Sequence, residues 1–170
     1  MKLSVVVPCY NEEKNIPLIV KRFSEVLPKD VQAELVLVDN GSADGSNTLI
    51  RELMKTHKFL RIAEVKQNIG YGFGIFTGLK EAKGEFLCWT HPDMQTDLGD
   101  TIKAYKLITA QLNPKHCFVK GERHGRPLFD QAFTTFMSWF ETLYLGTVLH
   151  DINAQPNVFH RSFFEKFKHL

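Results

Sequence analysis

The sequence predicts an α/β domain with a largely parallel sheet, and three observations point to it. Short runs rich in Val, Leu, Ile and Phe alternate with longer stretches whose apolar residues recur at three- and four-residue spacing, the signatures of buried strands and amphipathic helices. The alternation repeats along the chain, and parallel strands need such a crossover between them. A length of 170 residues with 44% hydrophobic content and 14 Phe suits one core, so a single domain over residues 1–170 is expected.

KLSVVVP is the first strand. Over residues 12–27, Ile16, Ile19, Val20, Phe23 and Val26 mark one helical face, and Pro28 stops the helix. AELVLVD is a buried strand that breaks at NGSADGS, where Asp44 or Ser46 caps a helix with Leu49, Ile50 and Leu53 inside. LRIAEVK is the third strand, GFGIFTGLKEAKG a helix ending at Gly84, and EFLCWT the fourth strand. A helix over residues 99–112 is stopped by Pro114, and HCFVKGER is a fifth strand. A long apolar helix is expected over residues 129–149, and NVFHRSFFEKF is a strand leading into a terminal helix. Repeats, low-complexity segments and linkers are absent.

Composition excludes several function classes. The net charge of +2 comes from mixed signs without a basic run or stripe, which argues against nucleic acid as a partner. Cys9, Cys88 and Cys117 are far apart, form no CxxC pair and lie in apolar runs, so buried, reduced thiols in a reducing compartment are expected. MKLSVVVPCY does not fit a signal peptide, and no stretch approaches the roughly 18 apolar residues of a membrane span. The expectation is a cytoplasmic protein, at most peripheral to the cytoplasmic face of a membrane.

Four polar clusters follow predicted strands: PCYNEE, DNGSADGS, KQNIGYG and THPDMQTD. In α/β sheets ligands bind at the carboxyl ends of strands, where strand order reverses. Asp39 and Asn40 precede Gly41 and Ser42, which sets a carboxylate at the sheet edge to accept from a base or ribose; an Asx turn uses the same pattern. Gly70, Gly72 and Gly74 open a helix whose free N–H groups favour a phosphate, although glycines also let a helix pack closely on a sheet. The spacing is GxGxG after the third strand, which is not a dinucleotide fingerprint. His91, Asp93, Gln95 and Asp97 alternate along an extended segment. Asp93 offers one carboxylate to a divalent cation completed by phosphates and water, whereas Asp97 suits a helix cap and His91 a turn before Pro92.

Taken in order, these clusters resemble the family-2 glycosyltransferases. VVVPCYNEEKNI is similar to the family's first strand and Pro-x-Tyr-Asn-Glu motif, and VLVDNGSADGS to its Val-Asp-Asp-Gly-Ser-x-Asp-Gly segment, with Asn40 in place of the second acid. NIGYGFGIFTGLKEAKGEFL resembles its Asn-x-Gly-x-Gly helix start and the strand after it. The resemblance covers nearly the whole chain and implies the Rossmann-like GT-A fold, a mostly parallel sheet with helices on both faces. It implies Pro8, Tyr10, Glu12 and Asp39 around the base and ribose of a nucleotide sugar, with Gly70 near the nucleotide. HPD falls where the family has its metal-binding Asp-x-Asp, so Asp93 would approach a diphosphate-bound Mg²⁺ or Mn²⁺ and His91 replaces the first acid. Gln95 matches a Gln of the polyprenyl-phosphate branch. An imidazole at position 91 suits Mn²⁺ or Zn²⁺ better than Mg²⁺.

VKGERHGRP resembles the Gly-Ser-Arg segment of enzymes that glycosylate dolichyl or undecaprenyl phosphate, which implies Arg123 and Arg126 near an acceptor phosphate. LHDINAQPNVFHR is similar to their Asp-x-x-Ser-Gly-Phe-Arg segment, with Asp151 as catalytic base or acceptor-orienting group and Pro156 departing from the pattern. Family members usually continue beyond this point, so a C-terminally short domain is expected. The implied function is inverting transfer of a sugar from a nucleotide-diphosphate donor to a polyprenyl phosphate or a glycan hydroxyl. A nucleotide-sugar-binding module without turnover, serving as a structural or regulatory partner, is the alternative that His91 and the short C-terminus favour. A nucleotidyltransferase would carry a Gly-rich basic loop after the first strand, and PCYNEEKN has no glycine.

Overall fold

The computed structural model describes residues 2–122 and 154–169. Strands β1 (Leu3–Cys9), β2 (Ala33–Asp39), β3 (Leu60–Glu64), β4 (Phe86–Trp89), β5 (Phe118–Lys120) and β6 (Asn157–His160) form one sheet in the order β3-β2-β1-β4-β6-β5. The pairs β1–β2, β2–β3 and β1–β4 are parallel, whereas β6 runs antiparallel to both β4 and β5. Every residue of β1 and β2 is buried, which explains why these strands read as unbroken apolar runs and not as alternating ones.

Helices α1 (Ile16–Val26), α2 (Ser46–Met54) and α4 (Leu98–Thr109) cover one face, and α3 (Tyr71–Glu81) and α5 (Arg161–Phe167) cover the other. On the first face Ile16, Ile19, Phe23, Ile50, Ile102 and Ile108 pack on Leu3, Val5, Val7, Leu35 and Leu37. On the second, Leu79 and Phe164 pack on Val6, Val36, Val38, Leu87 and Phe159. A fully buried side chain such as Phe23 contributes about 1.5–3 kcal/mol through removal from water.

Two helices are shorter than their apolar spacing predicts. Residues 12–15 form a turn in which the Glu12 carbonyl accepts from both Asn15 and Ile16, and α1 begins at Ile16 with Pro17 in its first turn, where a missing N–H costs nothing. Helix α4 ends at Thr109 because residues 110–113 turn into a 3₁₀ segment, Pro114–His116. Cys9 and Cys88 are buried free thiols, but Cys117 is only half-buried because it leads into the edge strand β5. The long apolar helix expected over residues 129–149 lies outside the described residues. Among the described residues no helix is long and apolar enough to cross a membrane.

From β1 the chain steps outward to β2 and β3, then returns to place β4 on the other side of β1. The strand order therefore reverses between β1 and β4, and their carboxyl ends open the crevice in which α/β sheets take ligands.

Candidate functional site

The loops after β1 and β2 are joined to each other. Asn11 and Glu12 N–H donate to the hydroxyls of Ser42 and Ser46 at 3.1 and 3.0 Å, and Ala43 N–H donates to Asn11 Oδ1 at 2.8 Å. Asn11 holds the left-handed backbone (φ 56°) that Asn tolerates, which turns its side chain back onto this second loop. Pro8 is buried at the end of β1, Tyr10 is exposed, and the Glu12 carboxylate accepts from Asn15 Nδ2 at 2.6 Å. Neither candidate cap on α2 holds the N-cap position, which is Gly45; Asp44 Oδ1 accepts from Ser46 N–H at 3.0 Å from one residue further out, while the Ser46 hydroxyl serves Glu12.

Asp39, at the end of β2, is 6% exposed, and both its oxygens take donors. Oδ1 accepts from Ser42 N–H at 3.0 Å, three residues on and so one further than an Asx turn, and Oδ2 accepts from Asn47 Nδ2 at 2.7 Å. Glu64, paired with Asp39 across the β2–β3 ladder, accepts from the same Asn47 amide at 2.8 Å and from Arg51 at 2.6 Å. These two donors, Asn47 first, hold the Glu64 carboxyl below its usual range.

Asn40 explains its own substitution for an acid. Its Nδ2 donates to the Gly70 carbonyl at 3.2 Å and to Asn68 Oδ1 at 3.4 Å, bonds that a carboxylate could not make. It thereby ties the start of α3 to the end of β2. The glycines of that start divide into two uses. A Cβ on Gly74 would press on Asn40 and Pro8, and one on Gly78 would run into Val6 and Val38, so these two permit close packing. Gly70 (φ 123°) and Gly72 face open space, with nothing within 4 Å of a would-be Cβ. The start of α3 also lacks a side-chain cap, leaving its first N–H groups available to an anion.

Past β4, the His91 ring stacks on Tyr71, the first residue of α3, with centroids 4.6 Å apart. Tyr71 Oη accepts from Gln155 Nε2 at 3.1 Å, and burial pushes this phenol up to about 12. His91 Nδ1 lies 3.5 Å from Asp93 Oδ2, and Asp93 Oδ1 accepts from Gln95 N–H at 3.0 Å across Met94, which has φ 59°. Gln95 thus meets Asp93 through its backbone. Asp97 is a cap as expected: it accepts from Gly99 N–H and also binds Arg22 through both oxygens at 2.8 Å. Among the described residues no group of three or more His, Cys, Asp or Glu gathers to hold a metal. The donor set here, one carboxylate and one imidazole already stacked on a tyrosine, fits a hard cation only when phosphate oxygens and water complete the shell.

The structure brings Pro8, Asp39, Gly70, His91, Asp93 and Gln95 to the carboxyl edge of the sheet. Arg123, Arg126 and Asp151 lie outside the described residues. Sequence reasoning missed Asn47, Arg51, Glu64, Tyr71 and Gln155. Glu64 carries the same signal as Asp39, an acid closing an apolar strand, while Gln155 reaches the site only through the loop before β6. Three buried polar atoms near this edge, Asn40 Oδ1, Thr90 Oγ1 and Gln155 Oε1, find no hydrogen-bond partner.

A mostly parallel sheet with a glycine-lined helix start at its strand-order reversal and carboxylates on either side defines an α/β domain whose ligand crevice lies at the carboxyl ends of its strands. Residues 4–160 match the model of glycosyl transferase family 2, and the chain belongs to that family. A bactoprenol glucosyl transferase of Shigella phage SfV is 27% identical over 147 residues, covering 85% of this chain and 46% of the relative. A dodecaprenyl-phosphate galacturonate synthase of Rhizobium johnstonii is 26% identical over 99% of this chain and 50% of its own length. Among solved structures, a mannosyltransferase from Pyrobaculum calidifontis in complex with GDP-Man and Mn²⁺ superposes with a TM-score of 0.68 at 24% identity, over 97% of this chain and 46% of that one. Glucosyl-3-phosphoglycerate synthase from Mycobacterium tuberculosis, with Mn²⁺, UDP and glucosyl-3-phosphoglycerate, gives 0.69 at 21% identity, over 96% of this chain and 58% of that one. These neighbours share the GT-A fold expected from the sequence. The chain spans about half the length of the curated relatives it matches.

Proposed function

We propose that the chain carries the donor-binding half of an inverting glycosyltransferase, one that moves a sugar from a nucleoside-diphosphate donor to a polyprenyl phosphate or a glycan hydroxyl. The observation that carries this reading is the position of the α3 start. It is bonded on one side to Asn40, next to the buried Asp39, and on the other it stacks through Tyr71 on His91, next to Asp93. Base, diphosphate and leaving-group contacts then follow one another along a single sheet edge.

In this reading Asp39, with Pro8, Tyr10 and Glu12 around it, receives the base and ribose, and the open N–H groups after Gly70 receive a phosphate. The acceptor oxygen attacks the anomeric carbon from the face opposite the diphosphate. The carbon–oxygen bond to the diphosphate breaks, and the electron pair leaves with it. A cation, Mg²⁺ or Mn²⁺, would have Asp93 as its one carboxylate ligand and would neutralise charge on that leaving group. Asp151 is assigned as base for a hydroxyl acceptor or orienting group for a phosphate acceptor, with Arg123 and Arg126 as phosphate contacts. The polyprenyl-phosphate class of acceptor is supported by the relatives' names, and a lipid acceptor implies work at a membrane face.

The test is a thermal-shift and calorimetry panel of UDP, GDP, dTDP and their sugars, with and without Mn²⁺. Binding to the native state raises the melting temperature by linkage. A rise with at least one nucleotide is expected, and no rise with any of them would refute the donor site. The stacking of His91 on Tyr71 favours a second reading, a binding module without turnover; binding with no donor hydrolysis or transfer under any metal supports it.

A further inference from the structure

Building on the donor-site reading, we propose that Tyr71 is a positioning residue that couples donor to acceptor: its ring holds the leaving-group loop after β4 and its hydroxyl holds the loop before β6, so that a ligand on either side tightens binding on the other.

Tyr71 is itself anchored. It opens α3 directly after Gly70, whose φ of 123° only glycine adopts readily, and the Gly70 carbonyl accepts from Asn40 Nδ2 at 3.2 Å and from Gly74 N–H at 3.3 Å. From that position the side chain reaches two other loops. Its ring lies against His91, with centroids 4.6 Å apart and planes 20° from parallel, two residues ahead of Asp93. Its Oη accepts from Gln155 Nε2 at 3.1 Å. Burial pushes the phenol up to about 12, so it stays protonated at neutral pH and acts by position and not by proton transfer.

Gln155 belongs to a clasp. Gly121 N–H, just past β5, donates to the Pro156 carbonyl at 2.7 Å, and a Cβ on Gly121 would run into the Gln155 carbonyl, so only glycine lets the end of β5 lie this close to the loop before β6. Residues 123–153, which carry Arg123, Arg126 and Asp151, fall in sequence between these two clasped points. The clasp thus fixes both roots of the segment assigned to the acceptor, and Tyr71 ties the clasp to the donor edge. That tie is costly to lose: Gln155 Oε1 is already buried without a partner among the described residues, and removing the phenol leaves Nε2 unpaired as well.

One side chain therefore serves two loops through different atoms. A nucleotide and cation that order the loop of His91 and Asp93 fix the ring, and the ring carries the hydroxyl and the clasp with it. An acceptor that orders the clasp acts in the opposite direction by the same factor, since coupling between two binding equilibria is reciprocal. Substitution separates the two contacts. Tyr71→Phe keeps the ring and its stack but removes the hydroxyl, and Gln155→Met keeps the length of the partner but removes its amide.

The experiment is calorimetric titration of UDP, GDP and dTDP, in Mn²⁺, with and without farnesyl phosphate as a soluble polyprenyl-phosphate probe. The proteins are the wild type, both single variants and the double variant, each first checked for a cooperative melt. In the wild type farnesyl phosphate should tighten the best nucleotide on the order of fivefold or more. Each single variant should still bind that nucleotide alone and lose most of the tightening, and the double variant should lose no more than either single one, because both changes cut the same bond. No tightening in the wild type, or full tightening kept in Tyr71→Phe, overturns the proposal while leaving the donor site standing. A loss of affinity by the same factor with and without farnesyl phosphate does so too, since that marks a merely structural role. A wild type that binds none of the three nucleotides overturns the donor site itself and this inference with it.

Discussion

His91 and Tyr71 are stacked, their ring centroids 4.6 Å apart and their planes 20° from parallel, so the residue that the sequence resemblance sets at the family's first metal-motif acid is held against the first residue of α3. Its Nδ1 is 3.5 Å from Asp93, too long for a good hydrogen bond, and its ring is fixed by the stack. The side chain serves packing between two loops more directly than it serves a cation.

From that follows a prediction on metal dependence. His91→Ala should leave the effect of Mn²⁺ on nucleotide affinity nearly intact, and Asp93→Ala should abolish it. His91→Asp restores a pair of carboxylates and should raise Mg²⁺ affinity in the presence of UDP or GDP, since each added charge favours a hard cation. Calorimetric metal titrations with nucleotide present distinguish these cases. A tight site in the wild type that vanishes in His91→Ala would make His91 a ligand after all.

Asp39→Asn is expected to weaken nucleotide binding by roughly 1.5–3 kcal/mol, the worth of a hydrogen bond to a charged group. The change keeps the volume of a side chain that is 6% exposed but turns an NH₂ onto one of the Ser42 and Asn47 donors, whereas Asp39→Ala strands both. Affinity should therefore be compared alongside the melting temperature. A folded Asp39→Asn protein with wild-type affinity would remove Asp39 from the site.

The glycines of α3 separate packing from binding. Gly78→Ala forces a methyl into Val6 and Val38, and overpacking of this kind costs about 1–3 kcal/mol, seen as a lower melting temperature. Gly72→Ala meets nothing and should not destabilise the fold, yet it should reduce nucleotide affinity where a phosphate approaches the helix start. Equal stability losses in the two variants would contradict the division.

The division also marks how far the sequence could be read. Strands β1 to β4, the faces of α1 and α2 and the cap at Asp97 were legible because each depends on periodicity or on a local side-chain-to-backbone bond. Gly70, Gly72 and Gly74 look alike in NIGYGFG, and which of them packs is decided by Asn40 and Pro8 on other strands. The contacts of Tyr71 with Gln155, 84 residues away, and of Asp39 with Asn47 and Glu64 depend on tertiary register, which no local pattern encodes. Arg123, Arg126 and Asp151 lie outside the described residues.

The pairing of Arg22 with Asp97 supports a prediction with a definite sign in pH. Arg22 on α1 donates from Nε and a terminal nitrogen to the two Asp97 oxygens at 2.8 Å each, while Asp97 caps α4 through Gly99 N–H at 3.1 Å. The Arg22 hydrogen bonds, more than the cap, lower the Asp97 carboxyl from 3.8 to about 2. A carboxyl whose folded value is depressed stabilises the fold above its unfolded value, and that contribution is lost as pH falls through the folded one. The window is therefore from about pH 4 down to about pH 2. Both side chains are more than a third exposed, so the pair itself contributes little and weakens in salt. Arg22→Ala should lower the melting temperature slightly at pH 7, and the gap from wild type should close as pH falls through that window. Asp97→Asn removes the charge but keeps a capping oxygen, and should match Arg22→Ala; Asp97→Ala loses the cap as well, a further cost of about 1 kcal/mol that persists at every pH. Melts of the three variants at pH 7, 4 and 2.5 check the order, and an Arg22→Ala gap that does not narrow on acidification would show that the pair does not link α1 to α4 in this way.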